Sequence, residues 1–174
     1  MTLQIKTLAL FLVVLMPTYC LGQSLILVRD TVNNFEIGVP EGWQYGVPQN
    51  KSVDFIAIRQ KVDVLDVPRE NYNIFLLDKD VKDLNESYKL FLESLSVNGA
   101  SFKVIEDGDI TLNNRNYKWL IETHKNKHSG ESMHNYVLFT NNEGRILILT
   151  FATISDNFEN YKSLFTKIAA SLKY

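Results

Sequence analysis

Residues 145–153 read RILILTFAT, a stretch in which the odd and the even positions are both mainly apolar. Because successive side chains of a β-strand point to opposite faces, a strand of this kind is buried on both of them. Residues 72–77, YNIFLL, have the same character. We therefore expect residues 145–153 at the centre of a sheet, with residues 72–77 as another central strand.

The remaining predicted strands are short and end at residues that favour turns, such as Asn, Gly and Pro. Hairpin-length links between them make neighbouring strands antiparallel. Residues 44–52 are predicted to form a loop, and residues 61–71 a polar connection. The other predicted strands are 24–30, 34–39, 53–60, 102–106, 109–112, 115–124 and 133–140.

Two segments, residues 84–95 and 158–172, place apolar side chains at helical spacing. Asp83 or Asn85 is predicted to cap the first helix and Asp156 the second. With one helix on each face of the sheet, the predicted fold is α+β, an antiparallel β-sheet with amphipathic helices packed on it as an α/β/α sandwich. If both helices lay on one face, N-terminal loops would have to cover the other.

Residues 1–22 have the three parts of a cleavable signal peptide. Lys6 precedes the apolar run LALFLVVLM, and Pro17 and the sequence Cys20-Leu21-Gly22 lead to a predicted cut before Gln23. Residues 23–174 then form a single domain in an exported protein, periplasmic or secreted. Membrane association is expected only if Cys20 is lipidated, which the bulky residue before it disfavours.

The composition excludes several classes of function. Lys and Arg number 18 against 20 Asp and Glu, so nothing attracts nucleic acid. The chain has no G-x-S-x-G, dinucleotide-binding or P-loop motif, and its single cysteine lies in the leader. We therefore expect no catalysis and no cofactor.

Aromatic side chains without a place in the core pattern are candidates for contact with a partner. Trp43 is predicted to fold back onto the core, while Tyr45 is difficult to bury. We predict a contact surface on the loop side near Trp43, Tyr45 and Gln49.

Three histidines, His124, His128 and His134, lie close together in sequence. Imidazoles gathered at a hairpin end bind zinc or copper, with Glu122 or Glu131 as a further ligand. A turn centred on Ser129-Gly130 would place His134 on the face opposite to His124, whereas a three-residue loop would pair the two directly. The sequence leaves both registers open.

Residues 34–43, NFEIGVPEGW, resemble the opening strand and Pro-x-x-Trp turn of the PsbP-like superfamily. Residues 158–172 are similar to the closing helix of that superfamily. The resemblance implies an antiparallel sheet between helices and a non-enzymatic role in binding or assembly, without catalytic residues to transfer.

Taken together, these features predict a secreted or periplasmic, non-enzymatic binding or assembly module whose partner is another envelope or secreted protein. A metal-binding protein that uses the histidine cluster is one alternative. A small-ligand carrier with a pocket between sheet and helix is the other.

Overall fold

A computed structural model describes residues 23–50, 52–77, 83–98 and 101–173. The predicted leader and Cys20 lie outside these residues. The described chain forms a two-stranded sheet, a seven-stranded sheet and two α-helices. The elements are β1 (Leu25–Asp30), β2 (Phe35–Pro40), β3 (Gln44–Gly46), β4 (Phe55–Ile58), β5 (Asn71–Leu76), α1 (Leu84–Asn98), β6 (Lys103–Leu112), β7 (Arg115–Lys125), β8 (Ser132–Asn142), β9 (Arg145–Ile154), a 3-10 turn (Ser155–Asn157) and α2 (Phe158–Ala170).

Strand β9 is the middle strand of the large sheet, whose order is β3-β4-β5-β9-β8-β7-β6. It pairs antiparallel with β5 on one side and with β8 on the other. Leu147 and Leu149 are buried on one face, and Ile146 and Ile148 on the other. The prediction that residues 145–153 form the centre of the sheet is confirmed, and so is the antiparallel α/β/α sandwich.

The face that carries Leu147 and Leu149 is covered by α2 and by the β1–β2 hairpin, and we call it the α2 face. Phe165 of α2 stacks on Phe151 of β9 with ring centroids 4.8 Å apart. Gly38 of the hairpin joins both covers to the sheet. Its N–H donates to Ser171 Oγ at 2.7 Å, and its carbonyl accepts a hydrogen bond from Tyr72 Oη at 3.0 Å.

The opposite face is covered by α1, and we call it the α1 face. Phe91 and Leu92 of this helix pack on a smaller cluster that contains Val137, Phe139 and Ile148. As predicted, Asp83 caps the helix, because its carboxylate accepts a hydrogen bond from the Glu86 N–H at 2.8 Å. No helix among the described residues is both long and apolar enough to cross a membrane.

Three local predictions are wrong. The predicted loop at 44–52 contains the edge strand β3, which forms because β4 offers it a pairing partner. The predicted strands 102–106 and 109–112 are the single strand β6, with a bulge between Val104 and Glu106. Asp156 does not cap α2. It lies in the 3-10 turn, and Asn157 occupies the N-cap position without a side-chain cap bond.

The Tyr72 hydroxyl gives the first test of this packing. Tyr72 is fully buried, and Tyr72→Phe leaves the Gly38 carbonyl without this donor. We expect the free energy of unfolding to fall by about 1–2 kcal/mol in urea denaturation, as for a lost buried hydrogen bond. Tyr45→Phe is the matched control, because the Tyr45 ring is half exposed, and its effect should stay within about 0.5 kcal/mol. Equal effects of the two changes would contradict the role given to Tyr72.

Candidate functional site

The structure separates the three residues predicted to contact a partner. Trp43 ends the turn at Pro40, whose carbonyl accepts a hydrogen bond from the Trp43 N–H at 3.0 Å. Its indole is 6% exposed and packs against the ring of Tyr72. Trp43 therefore belongs to the core, as the fold-back prediction required, and does not offer a contact surface. Tyr45 and Gln49 are both exposed and remain available to a partner.

A groove of about 530 Å³ lies beside Tyr45, at one end of β4. The β1–β2 turn forms one wall, and the segments that flank β3 and β4 form the other. Tyr45 is 49% exposed and stacks on Phe55, with ring centroids 6.2 Å apart. Val32 and Val47 line the groove and are more exposed than Tyr45. The groove is thus an open, mainly apolar surface with an aromatic floor, and Arg29, Asp30 and Asp54 also line it.

A second apolar surface lies at the other end of β4, in the loop that leads to β5. We call residues 61–67 the aliphatic loop. Val62, Val64, Leu65 and Val67 are all exposed, and Val64 and Leu65 each reach 84%. Aliphatic side chains exposed together on one loop are uncommon on a monomer surface, and such patches mark contact sites.

Ion pairs and capping bonds hold the aliphatic loop in place. Arg59, at the end of β4, donates from both terminal nitrogens to the Asp66 carboxylate, at 2.6 and 2.8 Å. An Asp66 oxygen also accepts the Val62 N–H at 2.8 Å, and Asp63 accepts the Leu65 N–H at 2.7 Å. The Arg59 guanidinium and the Val62 amide lower the pKa of Asp66 to about 2. The carboxylate is therefore ionised at all ordinary pH values.

The same arginine connects the loop to the sheet. Arg59 Nε donates to Glu70, which is 2% exposed and precedes β5. The other Glu70 oxygen accepts bonds from Thr153 Oγ1 at 3.3 Å and Asn157 Nδ2 at 3.1 Å. The loop, strand β9 and the start of α2 are thus joined by one polar network, which fixes the loop relative to the core.

The three histidines do not converge. His124 pairs with Met133, so the register is neither of the two considered from the sequence, and His134 lies on the opposite face of the sheet from His124. His134 stacks on Phe158 with ring centroids 4.8 Å apart, and burial lowers its pKa. His128 is exposed in the turn. Within the described ranges, no group of three or more potential metal ligands is found.

Glu122 and His124 form a pair on the α1 face, and Asn135 of β8 also hydrogen-bonds to Glu122. His124 Nδ1 lies 3.1 Å from both oxygens of Glu122, which is 1% exposed. Burial raises the pKa of Glu122, and the imidazole opposes this shift. In catalytic triads such a carboxylate orients a histidine toward a nucleophile. No further side-chain hydrogen bond to His124 is found in the part of the chain that the structure describes.

The pocket that a small-ligand carrier requires is present between sheet and helix. A cavity of about 390 Å³ lies between α1 and strands β5 and β9. It is on the α1 face and shares no lining residue with the groove at Tyr45.

The aliphatic loop and the arginine that supports it are not predicted from the sequence. The segment 61–71 reads KVDVLDVPREN, and its charges predict a polar connection. The usable signal was the alternation of aliphatic residues with Asp63 and Asp66, since short acidic side chains stabilise turns by bonding to nearby amides. The pairing of Asp66 with Arg59 gives no local signal in the sequence.

No family model and no curated protein sequence matches the chain. Several solved structures do match the chain. Cyanobacterial PsbP (CyanoP) from Synechocystis sp. PCC 6803 is 19% identical, with a TM-score of 0.60 over 91% of this chain and 99% of that one. The Ran-binding protein Mog1p from Saccharomyces cerevisiae is 11% identical, with a TM-score of 0.60 over 87% and 96%.

LpqN of Mycobacterium tuberculosis, a protein involved in cell envelope biogenesis, is 14% identical, with a TM-score of 0.58 over 86% of this chain and 90% of its own. Identities this low relate the proteins by fold alone. The alignments nevertheless cover nearly the whole length of each structure, so the likeness extends through the sheet and both helices. The chain therefore shares its fold with these proteins, which is the fold that the resemblance of its opening turn and closing helix predicted.

Proposed function

We propose that this protein is a non-enzymatic binding module that works outside the cytoplasm and holds another envelope or secreted protein at the β3–β4 edge of its sheet. One observation carries the proposal. Twelve large apolar side chains are exposed in the described residues, and seven of them lie at the two ends of β4. These seven are Val32, Tyr45 and Val47 at the groove and Val62, Val64, Leu65 and Val67 in the aliphatic loop.

Preorganisation favours binding over accidental exposure. A mobile aliphatic loop would lose conformational freedom when a partner bound it, and that loss weakens affinity. Arg59, Asp66 and Glu70 already fix the loop, with Glu70 anchored to the core. The partner therefore meets side chains that are exposed and already held in place, which lowers the conformational cost of binding.

The edge strand suggests the form of the partner. β3 is the outermost strand of the sheet and is only three residues long. An extended segment can add to an edge strand through main-chain hydrogen bonds, here over the three residues of β3, and place an apolar side chain in a neighbouring pocket. The groove at Tyr45 supplies that pocket. We propose an extended, aliphatic or aromatic segment of the partner as the group bound there.

The comparisons support the class of function and the compartment. Mog1p is described as a Ran-binding protein and LpqN as involved in cell envelope biogenesis, so this fold serves protein binding and envelope processes elsewhere. Residues 1–22, with Lys6 ahead of an apolar run, support export of the present chain. The partner is therefore sought among exported proteins.

Site-specific photo-crosslinking in the native cells tests the proposed surface. A photoreactive residue in place of Leu65 or Tyr45 should give a discrete adduct with one exported protein. The same residue at Ile105 is the matched control, because Ile105 is also half exposed but lies on β6, the opposite edge of the sheet. Leu65→Asp should then weaken binding of the identified partner at least tenfold, and Ile105→Asp should leave it unchanged.

Adducts of equal yield at both edges would contradict the proposed surface. The absence of any protein adduct at Leu65 and Tyr45, with the protein recovered as an inert monomer, would contradict a binding role.

The Asp66 carboxylate gives a pH test of the preorganised loop. Its pKa of about 2 lies below the ordinary value of 3.8, so the ion pair stabilises the native loop above about pH 4 and this contribution is lost as the pH falls through 2. We expect carboxyl-detected NMR to give a midpoint near 2, and amide protection of Val62 to fall over the same range. Arg59→Lys keeps the positive charge but loses the bidentate contact with the Asp66 carboxylate, so it should raise the titration midpoint of Asp66. A wild-type midpoint near 3.8 would show that the loop is not held in this way.

Export is tested by the intact mass of the protein recovered from outside the cytoplasm. We expect the mass of a chain that begins at Gln23, since cleavage after Gly22 follows from the leader pattern. A chain that begins at a lipid-modified Cys20 would instead establish membrane anchoring, and recovery only from the cytoplasm would refute export.

A further inference from the structure

Helix α1 leaves part of its face of the sheet uncovered. The helix packs on β7 and β8 through Tyr88, Phe91 and Leu92. Beside it, over β9 and β5, lies the cavity of about 390 Å³. Phe75 and Leu90 stand at the cavity and are 40% and 49% exposed, although each is a large apolar residue next to a hydrophobic cluster.

Two polar side chains face each other in this cavity. Asn73 of β5 and Thr150 of β9 are direct neighbours in the antiparallel register, and both line the cavity. Neither side chain has a hydrogen-bond partner among the described residues. A carboxamide and a hydroxyl side by side can both donate and accept hydrogen bonds. Placed among apolar walls, they form a neutral polar pair without a protein partner.

The chemistry of the walls restricts the ligand. No residue that lines the cavity is ionisable, so a charged ligand would lose its hydration without a compensating ion pair. Phe75, Phe91 and Ile148 offer flat aromatic and aliphatic surface for an apolar body. The volume lies at the lower end of the roughly 300–1,000 Å³ typical of small-molecule sites, which suits a molecule of about two or three rings.

We propose that the cavity between α1 and strands β5 and β9 binds an uncharged small molecule, whose apolar body packs on Phe75 and Phe91 and whose carbonyl, amide or hydroxyl group is bound by Asn73 and Thr150. The site is separate from the β3–β4 edge, so it adds a ligand to the binding function proposed above. The two proposals can fail independently.

Two fluorescent probes with the same ring frame test the site on the purified full chain. N-phenyl-1-naphthylamine is uncharged and carries one N–H group, and 8-anilino-1-naphthalenesulfonate adds a sulfonate to the same rings. We expect saturable binding of the neutral probe to a single site, and binding of the sulfonate at least tenfold weaker. Equal affinity for the two probes would overturn the assignment of a neutral ligand.

Matched variants on one helix locate the binding. Ser94 is exposed and lines the cavity, whereas its neighbour Glu93 is exposed and does not. Ser94→Trp should reduce affinity for the neutral probe at least tenfold, and Glu93→Trp should leave it unchanged. Both positions are exposed, so each variant is expected to keep the wild-type unfolding midpoint. Unchanged binding in Ser94→Trp would place the probe elsewhere and refute the proposal.

The polar pair has a test of its own. Thr150→Val preserves the shape of the side chain and removes its hydroxyl. We expect it to weaken binding of the neutral probe about threefold to tenfold, as the loss of one hydrogen bond does. In NMR spectra of the wild type, the side-chain amide of Asn73 should shift on addition of the probe. No change in either measurement would refute the role of Asn73 and Thr150.

Discussion

Strand β9 carries buried side chains on both of its faces, with Leu147 and Leu149 toward α2 and Ile146 and Ile148 toward α1. Each such side chain contributes about 1.5–3 kcal/mol through its removal from water. That contribution requires a cover on both sides of the sheet. The chain provides both covers with two helices, one on each face of the sheet. An antiparallel meander of strands separates the helices in the sequence.

The two covers are unequal, and this inequality produces the cavity. On the α2 face, a helix and the β1–β2 hairpin cover the sheet together and are joined at Gly38. On the α1 face a single helix covers only a smaller cluster, and Phe75 stays partly exposed at its side. A helix is about 10 Å wide and neighbouring strands lie about 4.8 Å apart, so one helix shields roughly two strands of seven.

The sequence predicts the centre of this fold well because apolar character on both faces is a local property of residues 145–153. The sequence predicts the relative positions of the three histidines poorly, because those positions depend on the register between β7 and β8. A hydrogen bond from the Gly130 N–H to the Asn126 carbonyl closes the turn between β7 and β8. This turn is longer than the two turns that the sequence leaves open. A change of one residue in such a turn decides which side chains share a face.

Contacts between residues distant in the chain explain the other differences. Strand β3 exists because β4 pairs with it, and three residues around Tyr45 carry little strand signal of their own. Trp43 was predicted correctly as a core residue, since a Pro-x-x-Trp turn fixes its direction locally. The aliphatic loop is not predictable from its local sequence, because its order depends on Arg59, which precedes it, and on Asn157, which lies far along the chain.

Strand β5 touches both proposed binding regions, so the question arises whether one region affects the other. The strand begins just after the polar network at Glu70, and it lines the cavity with Asn73 and Phe75. It is also paired along its length with β4 and β9, and its Tyr72 is fixed by a buried hydrogen bond. A strand held on both sides has no second arrangement to adopt, and coupling between sites needs an element with two states. We therefore expect the sheet to act as a rigid support, so that the proposed edge surface and the proposed cavity site are independent of each other.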